Sequence, residues 1–206
     1  MIPVSFAVQN RCLTPKIKWI LLFLAFVVCL VSCQPQIPNP DYVPPYNAQS
    51  ALDTFKLAQG FEIELFASEP LIRDPVAMEI DEDGRVYVVE MTGYPLNTEN
   101  IGRIRLLLDQ DADGIPDQSQ IFADGLVLPT GVMRWKDGIL VTAAPDLLYL
   151  EDSDGDGKAD IRKVILTGFA FTNPQKTVNL PVYGLDNWIY LAHSGSGGSL
   201  IFKEKF

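Results

Sequence analysis

Two stretches concentrate the residues able to hold a metal ion. "DQDADGIPD" runs from Asp109 to Asp117 and "DSDGDGKAD" from Asp152 to Asp160. Both carry aspartates at the first, third, fifth and ninth positions and a glycine at the sixth. Carboxylates this close repel one another unless a cation sits among them. Calcium takes about six to eight oxygens on an adaptable loop, which alternating carboxylates can supply. Asp109, Asp111, Asp113 and Asp117 are therefore candidate calcium ligands in the first loop, and Asp152, Asp154, Asp156 and Asp160 in the second. The spacing opens like an EF-hand but does not finish like one. The acid an EF-hand needs at its last position is replaced by Gln120 and Lys163. The flanks read as strands. The expected role is a calcium pin that stiffens a turn, with a solvated acidic turn as the alternative. The first loop has Ala112 where the second has Gly155, and it also contains Pro116, so it is the less adaptable of the two.

Other candidates are single residues. His193 is the only histidine, placed between a strand and a Gly/Ser loop, "SGSGGS". It is the one candidate for proton transfer, weighed against an ordinary strand-end residue. "EMTGYP" (Glu90 to Pro95) follows an apolar strand directly and offers an acid and an aromatic ring. Loops so placed often carry binding groups. Glu90, Tyr94 and Arg103 are the candidate ligand-binding residues, with Arg73, Arg105 and Arg134 as further cations that could meet a carboxylate.

The elements that must position these residues are strands. "SALDTFKLA" reads as a short helix, with Ser50 and Asp53 at capping-box spacing. From Phe61 onward the pattern is short alternating runs: "FEIELFA", "RVYVVEM", "RIRLLL", "GILVTAA", "DLLYLE", "KVIL", "NWIYLA" and "SLIFKE". Gly, Pro, Asn and Asp separate them, which is the signature of an all-β sandwich, barrel or propeller. Repetition selects among these. The acidic loops stand 43 residues apart, and Gly125 and Gly168 keep the same offset. A second motif interleaves, in which Asp83, Asp137 and Asp186 each precede an apolar strand. A period of about 40 to 55 residues fits a β-propeller of four-stranded blades. Residues 61 to 206 supply about three such units, three to four blades at most, where a closed propeller needs about four to eight. The expectation is therefore a partial propeller, a fragment of a longer protein.

The N-terminus reads as an export signal. Arg11, Lys16 and Lys18 precede an apolar run, Trp19 to Ser32, that ends at Cys33. The run is shorter than the about 20 residues of a membrane span and suits a signal peptide. "LVSC" resembles a bacterial lipobox, which implies acylation of Cys33 and a lipid anchor facing the periplasm or the cell surface. Residues 1–33 are thus read as a lipoprotein signal peptide, 34–50 as a Pro-rich tether and 51–206 as the partial propeller. All three cysteines (Cys12, Cys29 and Cys33) lie in the signal region, so the domain has no disulfide, thiol nucleophile or haem-attachment CxxCH. The whole chain carries a net charge of −10, and loss of the three basic residues before Cys33 makes this −13. Nucleic acid, which is bound by basic patches, is excluded as a partner.

"FEIELFASEPLIRDPVAMEIDEDGRVYVVEM" and "NPQKTVNLPVYGLDNWIYLAHSG" resemble segments of the propeller in membrane-bound dehydrogenase domains, which are related to the soluble glucose/sorbosone dehydrogenases. The resemblance runs from about Leu57 to the end of the chain. It implies an exported oxidoreductase acting on a sugar or polyol, with pyrroloquinoline quinone (PQQ) and calcium as cofactors and a cytochrome c as electron acceptor. In those enzymes the base histidine precedes a "PDG" turn. Here the turn is "LDN" at Asp186, and the residues before it offer Gln175, Lys176 and Asn179 but no histidine. Two readings remain. One is a dehydrogenase module. The other is a non-catalytic propeller that binds a glycan or a protein at the cell surface.

Overall fold

The computed structural model describes residues 44–95, 97–171, 173–193 and 198–203. Residues 1–33, read above as a signal peptide ending at Cys33, and most of the stretch read as a tether lie outside the described residues, as does most of "SGSGGS". No described helix is long and apolar enough to cross a membrane. The chain divides at Tyr46, and every element named below belongs to the unit from Asn47 to Phe206.

The unit opens with a single helical turn, α1 (Ala48–Leu52). Its cap is Asn47, whose side chain accepts the Ser50 N–H, so the expected cap at Ser50 is corrected. Asn47 wins because its short amide reaches the free N–H groups of the first turn. After α1 the described residues are β or irregular, apart from one 3-10 turn at Pro174–Lys176 capped by Asn173. "FEIELFA" is not a strand: it pairs with nothing, and Phe61 is exposed.

Four strands form the first sheet in simple order: β1 (Pro75–Ile80), β2 (Val86–Glu90), β3 (Gly102–Leu108) and β4 (Gln118–Leu126), all antiparallel. β2 is "VYVVE", buried throughout, as a central strand of β-branched and aromatic residues should be. The next four repeat the path: β5 (Gly131–Trp135), β6 (Gly138–Ala143), β7 (Asp146–Glu151) and β8 (Ile161–Phe169). Beyond them β9 (Val182–Tyr183) and β10 (Ile189–Tyr190) form a two-stranded pair, so only the centre of "NWIYLA" is a strand. A last strand, β11 (Gly198–Phe202), adds to the far side of β8. Gly168 permits this: its φ is +102°, and a Cβ there would collide with the Ser199 carbonyl oxygen. The described part is thus all-β, built of antiparallel sheets, none of them closed.

The sheets stack front on back. The 43-residue offset equates Leu106 with Tyr149 and Leu107 with Leu150. Leu106 shares a face with Tyr87 and Val89, whereas Leu150 shares one with Ile139, Val141 and Val132. These two faces meet in one buried cluster, with Phe122 edge-on to Tyr87 at 5.0 Å. The front of the first sheet therefore lies on the back of the second. The front of the second, carrying Leu140 and Tyr149, is covered in turn by Val178, Ile189 and Leu191. Each fully buried Ile or Leu here contributes about 1.5–3 kcal/mol of apolar burial.

Candidate functional site

Both acidic loops close the same kind of hairpin, β3 to β4 and β7 to β8, and both are folded by their own aspartates. The first aspartate accepts backbone N–H bonds with both of its oxygens. Asp109 takes those of Ala112 (2.7 Å) and Gly114 (2.8 Å). Asp152 takes those of Gly155 and Gly157 (each 2.8 Å). The third aspartate accepts from the fifth residue and the fifth from the seventh, in both loops. The ninth closes the loop: Asp117 accepts the Gln110 N–H at 3.0 Å and Asp160 the Ser153 N–H at 2.8 Å. The Asp117 and Asp160 N–H groups donate to Leu108 and Glu151, completing the hairpin. The bends require left-handed backbone at the fourth and sixth residues, with φ of +60° and +89° at Ala112 and Gly114 and +80° and +83° at Gly155 and Gly157. The second loop, with glycine at both, meets that demand at less cost.

This scaffolding aims carboxylates at a common point. In the first loop Asp109, Asp111 and Asp117 each bring an oxygen within 4.8 Å of the others, and in the second Asp152, Asp154 and Asp156 do so. Calcium bonds of about 2.3–2.6 Å let one ion touch oxygens up to about 5 Å apart, so either trio fits a calcium ion. Asp113 and Asp160 stand outside the trios. Both oxygens of Asp160 are engaged by Ser153, one by its N–H and one by its hydroxyl at 2.6 Å. The Ser153 hydroxyl is the main reason this carboxyl is held below its usual range. Asp109 is likewise held low, first by the Gly114 N–H. Asp111 goes the other way. The Asp113 N–H favours its charged form, but repulsion from Asp113 and Asp117 outweighs this and raises it. A carboxylate raised by its neighbours is one that gains from a cation.

The second loop is also tied to the first sheet. Gln120 of β4 donates to the Gly157 carbonyl at 3.0 Å, and the Ala159 N–H donates to Phe122 at 2.8 Å. Arg162 reaches the Asp124 carbonyl at 3.0 Å. A cleft of about 320 Å³ lies beside these contacts, lined by Phe122, Leu150, Lys158 and Arg162 among others.

Of the remaining candidates, Glu90, Arg103, Tyr94 and His193 fall at the opposite end of the sheets, and Arg134 at the same end as the loops. Glu90 is fully buried. Its Oε1 accepts the Arg73 N–H at 2.7 Å and Arg105 Nε at 3.2 Å, while Arg103 Nε lies 3.0 Å from Oε2, close enough to pair but not aligned for a hydrogen bond. Glu90 and Arg103 thus form a clamp across β2 and β3. Its sequence signal was the apolar strand before Glu90 and the paired arginines two residues apart after it. Tyr94 is half exposed, lines a hollow with Asp74 and Met91, and accepts a hydrogen bond from Gln175 at 2.6 Å. His193 bridges to Val178, with its ring 5.6 Å from Phe169 and Nε2 closed to solvent without a partner. Arg134 is engaged by Glu82 at 2.9 Å. Sequence reading missed Asp81. It is buried at the β1–β2 turn, pairs with Arg85 at 2.7 Å and accepts two backbone N–H bonds. The "DEDG" turn was its only signal.

No curated protein matches the chain in sequence. Residues 47–206 match a family model described as a domain of unknown function, DUF7133, and the chain belongs to that family.

Proposed function

We infer that residues 47–206 are consecutive blades of an exported β-propeller scaffold, and that its two acidic loops each take a calcium ion as a structural pin. One observation carries the calcium reading: loops 43 residues apart fold by the same hydrogen bonds and each converges three carboxylates. The propeller reading is supported by two four-stranded meanders stacked front on back, with β1 beside β5. In this reading Cys33 carries the lipid that holds the scaffold at the membrane, and the surface serves to bind a sugar, glycan or partner protein.

The dehydrogenase reading needs a base within reach of a substrate hydroxyl. Gln175 is occupied with Tyr94, and His193 Nε2 is closed to solvent. This favours the binding scaffold over PQQ-dependent oxidation. Calcium titration followed calorimetrically and by thermal unfolding tests the proposal. Added calcium raises the unfolding midpoint, and Asp154→Asn removes the tighter of two binding events. An unchanged midpoint and no binding heat would sink the calcium reading. Dye-coupled oxidation of sugars, with and without PQQ, tests the rest: PQQ-dependent turnover would replace the scaffold with the dehydrogenase.

A further inference from the structure

The cleft between the two stacked sheets is bordered by cations that the fold leaves without a counter-charge. β4 bulges near its end, where Asp124 and Gly125 stand opposite the single residue Arg103. Gly125 permits the bend with a φ of +67°. Such a bulge interrupts the ladder and frees backbone groups. Arg162 of β8 takes two of them, donating from Nη1 to the Asp124 carbonyl at 3.0 Å and from Nη2 to the Gly125 carbonyl at 3.4 Å. The guanidinium is thereby held in place by carbonyls. Arg85, Arg103, Arg105 and Arg134 are each paired with an acid instead. Lys158 is exposed, lines the same cleft and is paired with no acid among the described residues. A chain of net charge −10 has no surplus of bases to explain two cations left so. Nor does the hairpin need them. The 43-residue offset places Ile115 and Ser119 at the corresponding positions of the first hairpin.

The cleft, about 320 Å³, suits one small molecule. Its floor is apolar, with Ile121, Phe122 and Leu150. Asp124 also lines it, and the Asp124 carboxylate accepts no hydrogen bond among the described residues. We propose that this cleft binds a hydroxylated carboxylate of monosaccharide size, of the uronic-acid class. Lys158 and Arg162 take the carboxylate through charge-assisted hydrogen bonds. Arg162 can do so because a guanidinium has five N–H donors and only two are engaged by the bulge. The apolar floor takes the C–H face of the ring. Asp124 accepts from the hydroxyls, which a plain organic acid would not offer. The calcium trio of the second loop, Asp152, Asp154 and Asp156, does not line the cleft. The inference rests on the sugar-binding reading above for its class of ligand and is independent of calcium.

Calorimetric titration of the full chain in detergent micelles, with chelator present, tests this with three probes. Glucuronate carries carboxylate, ring and hydroxyls. Glucose lacks the carboxylate, and cyclohexanecarboxylate lacks the hydroxyls. Glucuronate binds about tenfold tighter than either, because one hydrogen bond to a charged group is worth about that factor. Lys158→Gln weakens glucuronate about tenfold and leaves glucose unchanged. Asp124→Ala brings glucuronate down to the affinity of cyclohexanecarboxylate. Both side chains are exposed, and circular dichroism verifies folding. Ile121→Asp, which sets a negative charge on the floor and abolishes glucuronate binding, serves should either variant fail to fold. No binding heat from glucuronate, equal affinity for glucose, or undiminished binding by Lys158→Gln would each overturn the proposal. Sugar binding that ignores Lys158 places the ligand elsewhere and leaves the scaffold reading standing. Silence from both glucuronate and glucose removes the sugar-binding reading along with this site.

Discussion

Gly157→Ala and Gly114→Ala form a matched pair that isolates the tie between the second acidic loop and the first sheet. Both glycines sit at the sixth loop position with left-handed backbone, φ +83° and +89°. An alanine at either costs about 1 kcal/mol in backbone strain. At Gly114 nothing lies within 4 Å of an added Cβ, so strain is the whole cost. At Gly157 the Cβ would collide with Gln120 Nε2, the free end of a flexible side chain. Gln120 therefore swings away and gives up its hydrogen bond to the Gly157 carbonyl, worth about 1 kcal/mol net. The expected losses are about 1 kcal/mol for Gly114→Ala and about 2 kcal/mol for Gly157→Ala. In a domain of this size the gap corresponds to about 2–4 °C in the unfolding midpoint. Thermal and urea unfolding in chelator, without calcium, measures it. Gln120→Ala supplies the control: in that background Gly157→Ala costs no more than Gly114→Ala, because the clash and the bond are both gone. Equal losses for the two glycine variants, or a Gly157→Ala cost that persists without Gln120, would refute the reasoning.

Two further perturbations rest on the same geometry. Asp111 has its folded pKa raised by its neighbours, so its contribution to stability is present below the unfolded value and lost as pH rises through the folded one. Asp111→Asn accordingly raises the unfolding midpoint at pH 7 in chelator, the gain disappears below about pH 4, and the calcium-induced shift of the first loop is lost; a lowered midpoint at pH 7 contradicts the assigned repulsion. Glu90→Ala leaves Arg103 and Arg105 facing each other without their shared counter-ion, which costs about 3 kcal/mol by urea denaturation, and a loss under about 1 kcal/mol would show the clamp to be dispensable.

What the sequence made legible depended on whether a local pattern matched a local cause. The acidic loops were visible because each aspartate is consumed within its own loop, so spacing alone encodes the fold. β2, β3, β6 and β7 were visible because each is a short, mostly apolar run, buried throughout in β2 and β6 and alternating with half-buried arginines at the start of β3. β1 was missed because its back face is uncovered and Pro75 opens it. β4 was missed because register shifts opposite Ile104 interrupt its alternation and polar residues begin it. β5 opens on Gly131, where a Cβ would stand 2.6 Å from the Leu180 backbone, a constraint imposed from 49 residues away. "FEIELFA" alternates as a strand should, but no partner strand is adjacent to accept it. The offset between turn aspartates was misleading by one residue. Asp83 and Asp137 are 54 apart, yet Tyr87 corresponds to Leu140, because the β1–β2 turn is longer by one than the tight turn between Trp135 and Gly138. Glu90 looked like a binding residue because burial is invisible in a single chain of letters.

The acidic loops and the β1–β2, β5–β6 and β9–β10 turns all lie at one end of the sheets, as the contacts of Gln120 with Gly157, of Arg134 with Glu82 and of Trp135 with Tyr183 fix. The opposite end holds the Glu90 clamp, Tyr94, Gln175 and His193. Negative charge is therefore displaced along the sheet axis, and the unit is an electric dipole as well as an anion. Beside an anionic surface it experiences a torque that turns the aspartate-rich end outward and the clamp end inward, within a range of about 10 Å at moderate salt. Calcium in the loops would weaken that torque, so the same ions that stiffen two hairpins would also loosen the molecule's orientation.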